Sequence, residues 1–132
     1  MRYAQINHIA IYAKELVNTV EFYCQVFGFP KTEIKYHEDG RIKMIRLEVN
    51  ESQSIEFMNF DKDPPKKKGE YVTSGYMHFG LSLNNVHEYA KRTRQEYSTF
   101  IASDGSTRIF IKDPEENLIE LCELNEVQEC SD

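Results

Sequence analysis

Two histidines and two glutamates recur in this chain in a pattern that is typical of metal ligands. His8 begins a short apolar stretch, and Glu56 lies inside another apolar stretch in the first half of the chain. His78 and Glu120 repeat this arrangement in the second half. Imidazole nitrogens and carboxylate oxygens are both good ligands for divalent transition metals, so the four side chains would fill much of one coordination sphere. The repeated pattern therefore predicts a metalloenzyme.

The alternation of side chains along a strand assigns the four candidate ligands to one kind of face. Large apolar residues mark the face that packs under a helix: Ile9, Ile11, Ile55, Phe57, Phe79, Leu81, Ile119 and Leu121. His8, Glu56, His78 and Glu120 all fall on the opposite face of their strands. The alternative is a half-buried histidine and a solvent-facing glutamate in each half. A charged carboxylate within an apolar run is costly without a partner, which favours the ligand hypothesis.

Hydrophobic periodicity predicts the same order of elements in both halves, namely strand, helix and three further strands. In the first half the helix ends at Gly28, and strands are predicted at 5–12, at 32–37, around Ile45 and Leu47, and at 53–60. In the second half strands are predicted at 76–83, 97–102, 107–112 and 117–124. Asn85 and Glu88 resemble a capping box at the start of the second helix.

The predicted fold class is α+β, with two βαβββ modules in a single domain that spans 1–132. Module 1–62 and module 75–125 are joined by a linker at 61–74, which contains prolines and charges and has no periodicity. An isolated module would leave sheet edges and an apolar face exposed to water. The two modules are therefore expected to pack against each other or against a partner chain.

Four segments make the chain resemble the vicinal oxygen chelate superfamily, which includes glyoxalase I, methylmalonyl-CoA epimerase, extradiol dioxygenases and fosfomycin-resistance proteins. The segments are INHIAI at 6–11, FYCQVFGF at 22–29, HFGLSL at 78–83 and IKDPEENLIEL at 111–121. They bracket nearly the whole chain, and the last one is the most specific. The resemblance implies the glyoxalase/bleomycin resistance/dihydroxybiphenyl dioxygenase-like fold, in which paired modules form a metal-binding cup. It also implies a homodimer with sites at the interface.

The resemblance further implies a glyoxalase I-like lyase with one divalent metal ion per site, held by His8, Glu56, His78 and Glu120. The ion (nickel, cobalt, zinc, manganese or iron) would polarise a substrate carbonyl, and Glu120, with Glu56 as its counterpart, would move a proton between adjacent carbons. A 2-oxoaldehyde thiol adduct would become a 2-hydroxyacyl thioester. The alternatives are an epimerase of the methylmalonyl-CoA type, an extradiol dioxygenase-like enzyme with three of the ligands, and a non-catalytic drug-binding or resistance protein.

Six further side chains are predicted to contact a small-molecule substrate, since alternation assigns them to the face of the ligands: Arg46, Arg108, Tyr12, Met58, Phe60 and Phe110. The arginines would bind a carboxylate or phosphate; the alternative is a salt bridge to Glu48 or another acid at the rim. The other four would form an apolar wall. Glutathione-using glyoxalases carry Arg and Asn where this chain has Tyr12 and Phe60, which leaves the identity of any thiol cosubstrate open.

Composition limits the classes of partner. The chain has 132 residues, 40% of them hydrophobic, and a formal net charge of −6. Because a nucleic-acid binder needs a basic face, no nucleic-acid partner is expected. Polar residues interrupt the first apolar stretch, so neither a signal peptide nor a membrane span is expected. The three cysteines have no paired spacing, which predicts no disulfide framework and a reducing, cytoplasmic location.

Overall fold

The computed structural model describes residues 6–60 and 78–124, which fall into two compact units, one within 1–66 and one within 67–132. The first unit contains β1 (His8–Tyr12), α1 (Leu16–Phe27), β2 (Lys31–Tyr36), β3 (Ile42–Glu48) and β4 (Ser54–Met58). The second contains β5 (His78–Leu83), α2 (Val86–Arg92), β6 (Thr99–Ile101), β7 (Thr107–Lys112) and β8 (Leu118–Glu123). Each unit has the βαβββ order, which confirms the predicted fold class. The predicted linker, 61–74, lies outside the described residues.

The two four-stranded sheets share one topology, in which the first and last strands of a unit are neighbours. The strand orders are β1-β4-β3-β2 and β5-β8-β7-β6. β1 runs parallel to β4, and β5 runs parallel to β8, whereas the other neighbouring strands are antiparallel. Ala10 lies opposite Glu56, and Gly80 lies opposite Glu120. Each strand that begins with a candidate histidine ligand is therefore paired with the strand that carries a candidate glutamate.

One face of each sheet forms a core under the helix of its unit. In the first unit α1 buries an apolar stripe whose Tyr23 ring lies 4.7 Å, centroid to centroid, from the ring of Phe57. In the second unit α2 buries Val86 and Ala90 and packs on β7 and β8. The sheet residues with almost no exposed surface are Leu47, Ile55, Phe57, Ile109, Ile111, Ile119 and Leu121. Of the eight residues that alternation assigned to the apolar faces, six are buried, and Ile9 and Phe79 are half-buried.

The helix ends show one confirmed prediction and one wrong prediction. Gly28 follows α1 with φ 74° in the left-handed region, and its N–H donates to the carbonyl of Cys24 at 2.9 Å. The capping box is wrong, because the side chain of Asn85 makes no cap hydrogen bond. The carboxylate of Glu123 instead accepts from the backbone N–H groups of Asn85 and Val86, at 2.6 and 3.1 Å. Neither helix in the described part of the chain is long and apolar enough to cross a membrane.

Gly28→Ala is expected to lower the free energy of unfolding by about 1–2 kcal/mol, because an alanine side chain disfavours left-handed backbone. No atom outside the neighbouring residues lies within 4 Å of a Cβ built at this position, so crowding contributes nothing to the loss. Urea denaturation followed by circular dichroism measures the change. Gly28→Asn is the matched control, since asparagine tolerates this conformation, and it should lose less stability than the alanine variant. Equal stability of both variants and the wild type would contradict the assignment of this helix end.

Candidate active site

In the first unit, His8 and Glu56 face each other on the side of the sheet away from α1. The Nε2 atom of His8 lies 3.7 Å from Oε2 of Glu56, and the glutamate side chain is 10% exposed. The Nδ1 atom of His8 lies 2.8 Å from Oδ1 of Asn7. When Nδ1 carries the proton and donates to Asn7, the lone pair of Nε2 faces a carboxylate oxygen. Two acceptors that face each other at this distance favour a cation between them.

The second unit repeats this pair. The Nε2 atom of His78 lies 3.6 Å from Oε1 of Glu120, and the two side chains are 28% and 18% exposed. The ring of Phe110 meets the imidazole edge to face, with centroids 5.1 Å apart. Gly80 lies against this pair, since a Cβ at that position would be in ordinary van der Waals contact with Sγ of Cys122 at 3.4 Å and with Oε1 of Glu120 at 3.6 Å. The predicted ligands are thus brought together as one His–Glu pair in each unit.

The donor atoms of both pairs fit a divalent cation. With metal–ligand distances of about 2.0–2.2 Å, two ligands of one ion lie no more than about 4.4 Å apart, and both pairs meet this condition. Within residues 6–60 and 78–124, the His, Cys, Asp and Glu side chains form no group of three or more that could hold an ion. Each unit by itself therefore supplies two of the four predicted ligands.

Arg46 lies in a row of paired residues that crosses the first sheet. It is directly opposite Glu56 on β4 and Glu33 on β2. Its Nη2 donates to Oε2 of Glu56 and its Nη1 donates to Oε2 of Glu33, both at 3.1 Å. Its partners are thus acids on the two neighbouring strands rather than Glu48 on its own strand. Sequence reasoning missed Glu33, because the exposed strand β2 has few apolar residues that would fix its face.

Arg108 is held differently, at the edge of the second pair. Its Nε donates to the hydroxyl of Ser106 at 3.0 Å, and Nη2 lies 3.4 Å from Oδ2 of Asp104. Its Nη1 lies 3.3 Å from Sγ of Cys122 and 3.6 Å from Oε2 of Glu120. Burial raises the pKa of the Cys122 thiol, and the Arg108 guanidinium only partly opposes that rise. The thiol is therefore protonated at neutral pH, which fits a packing role and disfavours a nucleophilic one.

The two arginines do not occupy equivalent positions in the two units. Arg46 lies directly opposite Glu56, whereas the residue directly opposite Glu120 is Phe110. Arg108 precedes Phe110 by two residues and reaches Glu120 only along the diagonal. The first unit thus has a guanidinium where the second unit has an aromatic ring.

Aromatic side chains from the predicted apolar wall stack within each unit. In the first unit the rings of Tyr12 and Phe60 stack with centroids 5.9 Å apart and planes 11° apart. Tyr12 lies opposite the half-buried Met58. In the second unit Phe110 stacks on Phe100 with centroids 5.6 Å apart. The sequence analysis did not include Phe100, although its place in β6 next to β7 makes it an exposed partner for the predicted wall.

Gly80→Val is expected to weaken zinc binding while leaving the second core intact. Its methyl groups would extend from a Cβ that already lies 3.6 Å from Oε1 of Glu120, and would displace that carboxylate. To test this, metal-stripped protein is equilibrated with zinc, and the bound zinc is measured by mass spectrometry. Ser82→Val is the matched control, because Ser82 is an exposed residue on the same face of β5 but lies opposite Cys122. Unchanged zinc binding by the Gly80 variant would contradict the role given to this glycine.

Comparisons with known proteins agree with this architecture. The uncharacterized protein YwkD of Bacillus subtilis (strain 168) is 25% identical over 123 residues, which cover 89% of this chain and 95% of that protein. The structure of a lactoylglutathione lyase from Agrobacterium tumefaciens matches with a TM-score of 0.65 and 21% identity, over 93% of this chain and 96% of the other. The fosfomycin resistance protein FosX from Listeria monocytogenes matches with a TM-score of 0.67 and 17% identity, over 96% and 98%.

A match to a family model establishes the family of this chain. The two structural matches have low sequence identity and therefore establish the fold alone. The model of the Glyoxalase/Bleomycin resistance protein/Dioxygenase superfamily, however, matches residues 5–121, which include both His–Glu pairs. This agrees with the resemblance drawn from the sequence motifs. The chain belongs to the glyoxalase/bleomycin resistance protein/dioxygenase superfamily, the vicinal oxygen chelate proteins.

Proposed function

We propose that this protein is a metal-dependent glyoxalase-type lyase that converts a 2-oxoaldehyde thiol adduct into a 2-hydroxyacyl thioester. The observation that carries the proposal is the His–Glu pair in each unit, with acceptor atoms 3.7 and 3.6 Å apart. Repetition of this pair gives two imidazoles and two carboxylates. Family membership supports a small-molecule enzyme of this kind.

The proposed metal ligands are His8, Glu56, His78 and Glu120, which hold one ion per site. Nickel, cobalt, zinc, manganese and iron all accept imidazole and carboxylate ligands, so the donor set alone does not select among them. When bound, the ion would supply Lewis-acid polarisation of a substrate oxygen. We also propose a homodimer, because strand edges flank each sheet and family members pair their modules. The cysteine pattern supports a cytoplasmic location.

Glu120 is the proposed base. It takes the proton from the carbon that bears sulfur and returns it to the adjacent carbonyl carbon, while the hydroxyl proton of the adduct passes to the former carbonyl oxygen, so the reaction is an isomerisation without an external oxidant. Glu56 is less suited to this step, because its side chain is only 10% exposed. Glu120 lies 3.6 Å from the nearest guanidinium nitrogen and is 18% exposed. Glu56 would then act as a ligand and as the counterpart across the site.

The aromatic side chains indicate the substrate's apolar part. Glutathione-using glyoxalases carry Arg and Asn at the positions of Tyr12 and Phe60. In this chain the rings of Tyr12 and Phe60 stack on each other. A stacked pair offers a flat apolar surface and lacks the charge that would bind the carboxylates of glutathione. We therefore propose a thiol cosubstrate other than glutathione, with Met58 and Phe110 contributing to the same apolar wall. Arg46 and Arg108 are the proposed contacts for an anionic group of the substrate.

The loss of the glutathione-type residues also favours a second candidate, an epimerase of the methylmalonyl-CoA type. Such an enzyme needs the same metal-assisted removal and return of a proton but no 2-oxoaldehyde. Deuterium exchange from solvent into an acyl-CoA, without conversion of 2-oxoaldehyde adducts, distinguishes the epimerase from the lyase.

Glu120→Gln is expected to lower the kcat for methylglyoxal–thiol adducts by about 10²- to 10⁴-fold, because it removes the proton-transferring carboxylate. Metal-loaded protein is assayed with adducts of glutathione, coenzyme A and cysteine, and thioester formation is followed by absorbance. Glu51→Gln, in the exposed segment between β3 and β4, is the charge-matched control and should retain wild-type kcat. Conversion at the wild-type rate by Glu120→Gln, or no conversion of any adduct by wild type, would contradict the proposed lyase.

A further inference from the structure

The two His–Glu pairs differ in whether the histidine and the nearby arginine contact the same carboxylate oxygen. In the first unit, Oε2 of Glu56 lies 3.7 Å from Nε2 of His8 and accepts from Nη2 of Arg46 at 3.1 Å. The histidine and the guanidinium therefore converge on the same oxygen atom. A cation that binds this oxygen together with His8 would compete with the Arg46 donor for the lone pairs of the oxygen.

In the second unit the imidazole and the guanidinium contact different oxygens. Nε2 of His78 faces Oε1 of Glu120 at 3.6 Å, whereas Nη1 of Arg108 faces Oε2 at 3.6 Å. The oxygen that faces the histidine is therefore not the one that the ion pair with Arg108 uses. Arg108 is thus placed to orient the carboxylate from its far side through an ion pair, as outer partners orient a ligating carboxylate.

The strand register explains the difference. Arg46 lies directly opposite Glu56, which brings its guanidinium over the carboxylate, whereas Arg108 lies directly opposite Cys122 and approaches Glu120 diagonally. Arg46 also has a second acid on its other side, because Nη1 donates to Oε2 of Glu33 at 3.1 Å. The guanidinium can therefore give up Glu56 and remain paired with Glu33.

We propose that Arg46 is a built-in competitor of the metal ion for Glu56, whereas Arg108 is a positioning residue for Glu120. This inference rests on the proposed metal site. In the metal-free protein Arg46 neutralises the largely buried carboxylate of Glu56, which would otherwise be costly to leave unpaired. Metal binding exchanges this guanidinium for the ion, and Nη2 of Arg46 is released next to the site, where an anionic group of the substrate can accept from it. The arginine thereby couples metal binding to the recognition of an anion.

The test compares metal affinity rather than activity. Metal-stripped wild type, Arg46→Met, Arg46→Gln and Arg108→Met are titrated with zinc and with nickel against a chromogenic chelator, and circular dichroism checks that each variant is folded. Both Arg46 variants are expected to bind at least about tenfold more tightly than wild type, equivalent to about 1.4 kcal/mol. Arg108→Met is the matched control, because it removes a guanidinium within 4 Å of the other glutamate without freeing the oxygen that faces the histidine. It should bind no more tightly than wild type.

The outcomes separate this inference from the proposed function. Equal affinities of wild type and the Arg46 variants would overturn the competition while leaving the metal site standing. Equal gains in the Arg46 variants and in Arg108→Met would also overturn it, since loss of any nearby positive charge would then explain the result. If no folded protein of the set bound zinc or nickel, both the competition and the proposed metal-dependent function would be overturned.

Discussion

The parallel pairing of the first and last strands in each unit is the interaction on which the candidate site depends. β1 pairs with β4 and β5 pairs with β8, so a histidine on an early strand lies beside a glutamate from a strand far along the chain. The helix that packs on the opposite face fixes which side chains point away from the core. Burial of Phe57 and Leu121 under the helices thus determines where Glu56 and Glu120 point. Packing on one face of each sheet thus positions the candidate ligands on the other face.

The repetition of the βαβββ unit did not produce two identical His–Glu pairs. Both units keep the His–Glu pair, but the residue opposite the glutamate is Arg46 in one and Phe110 in the other. A charged neighbour and an aromatic neighbour change the surroundings of the two carboxylates in different ways. The first is neutralised by a direct ion pair, and the second lies beside an edge-to-face pair of rings and a more distant guanidinium. The two carboxylates of the proposed site therefore do not have the same surroundings.

Much of the fold was predictable from the sequence, because alternation in strands such as 107–112 and periodicity before Gly28 reflect burial directly. The same alternation predicted that His8, Glu56, His78 and Glu120 lie on the faces opposite the large apolar residues. Contacts that depend on register across strands were not predictable. Glu33 lies on an exposed strand with irregular pairing, so its position opposite Arg46 left no pattern in the sequence. The cap formed by Glu123 was missed for a related reason, since a distant strand rather than the local sequence supplies it.

Family membership and the site geometry contribute different parts of the account. The family model supports the class of protein and the fold, and the geometry supplies the particular residues. The stacked Tyr12 and Phe60 rings and the Arg46 bridge are properties of this chain's own side chains. These side chains bear on the proposed substrate and on the proposed affinity for metal. Membership of a functionally diverse superfamily determines neither.

The most direct test of the central claim is the number of metal ions per chain in wild type, His8→Ala and His78→Ala, measured by mass spectrometry after equilibration with nickel or zinc. If both His–Glu pairs hold the same ion, wild type binds one ion per chain and each single substitution abolishes tight binding. Two ions per chain in wild type, with one lost in each variant, would mean that the pairs act separately. No bound ion in wild type would contradict the metal-dependent account altogether.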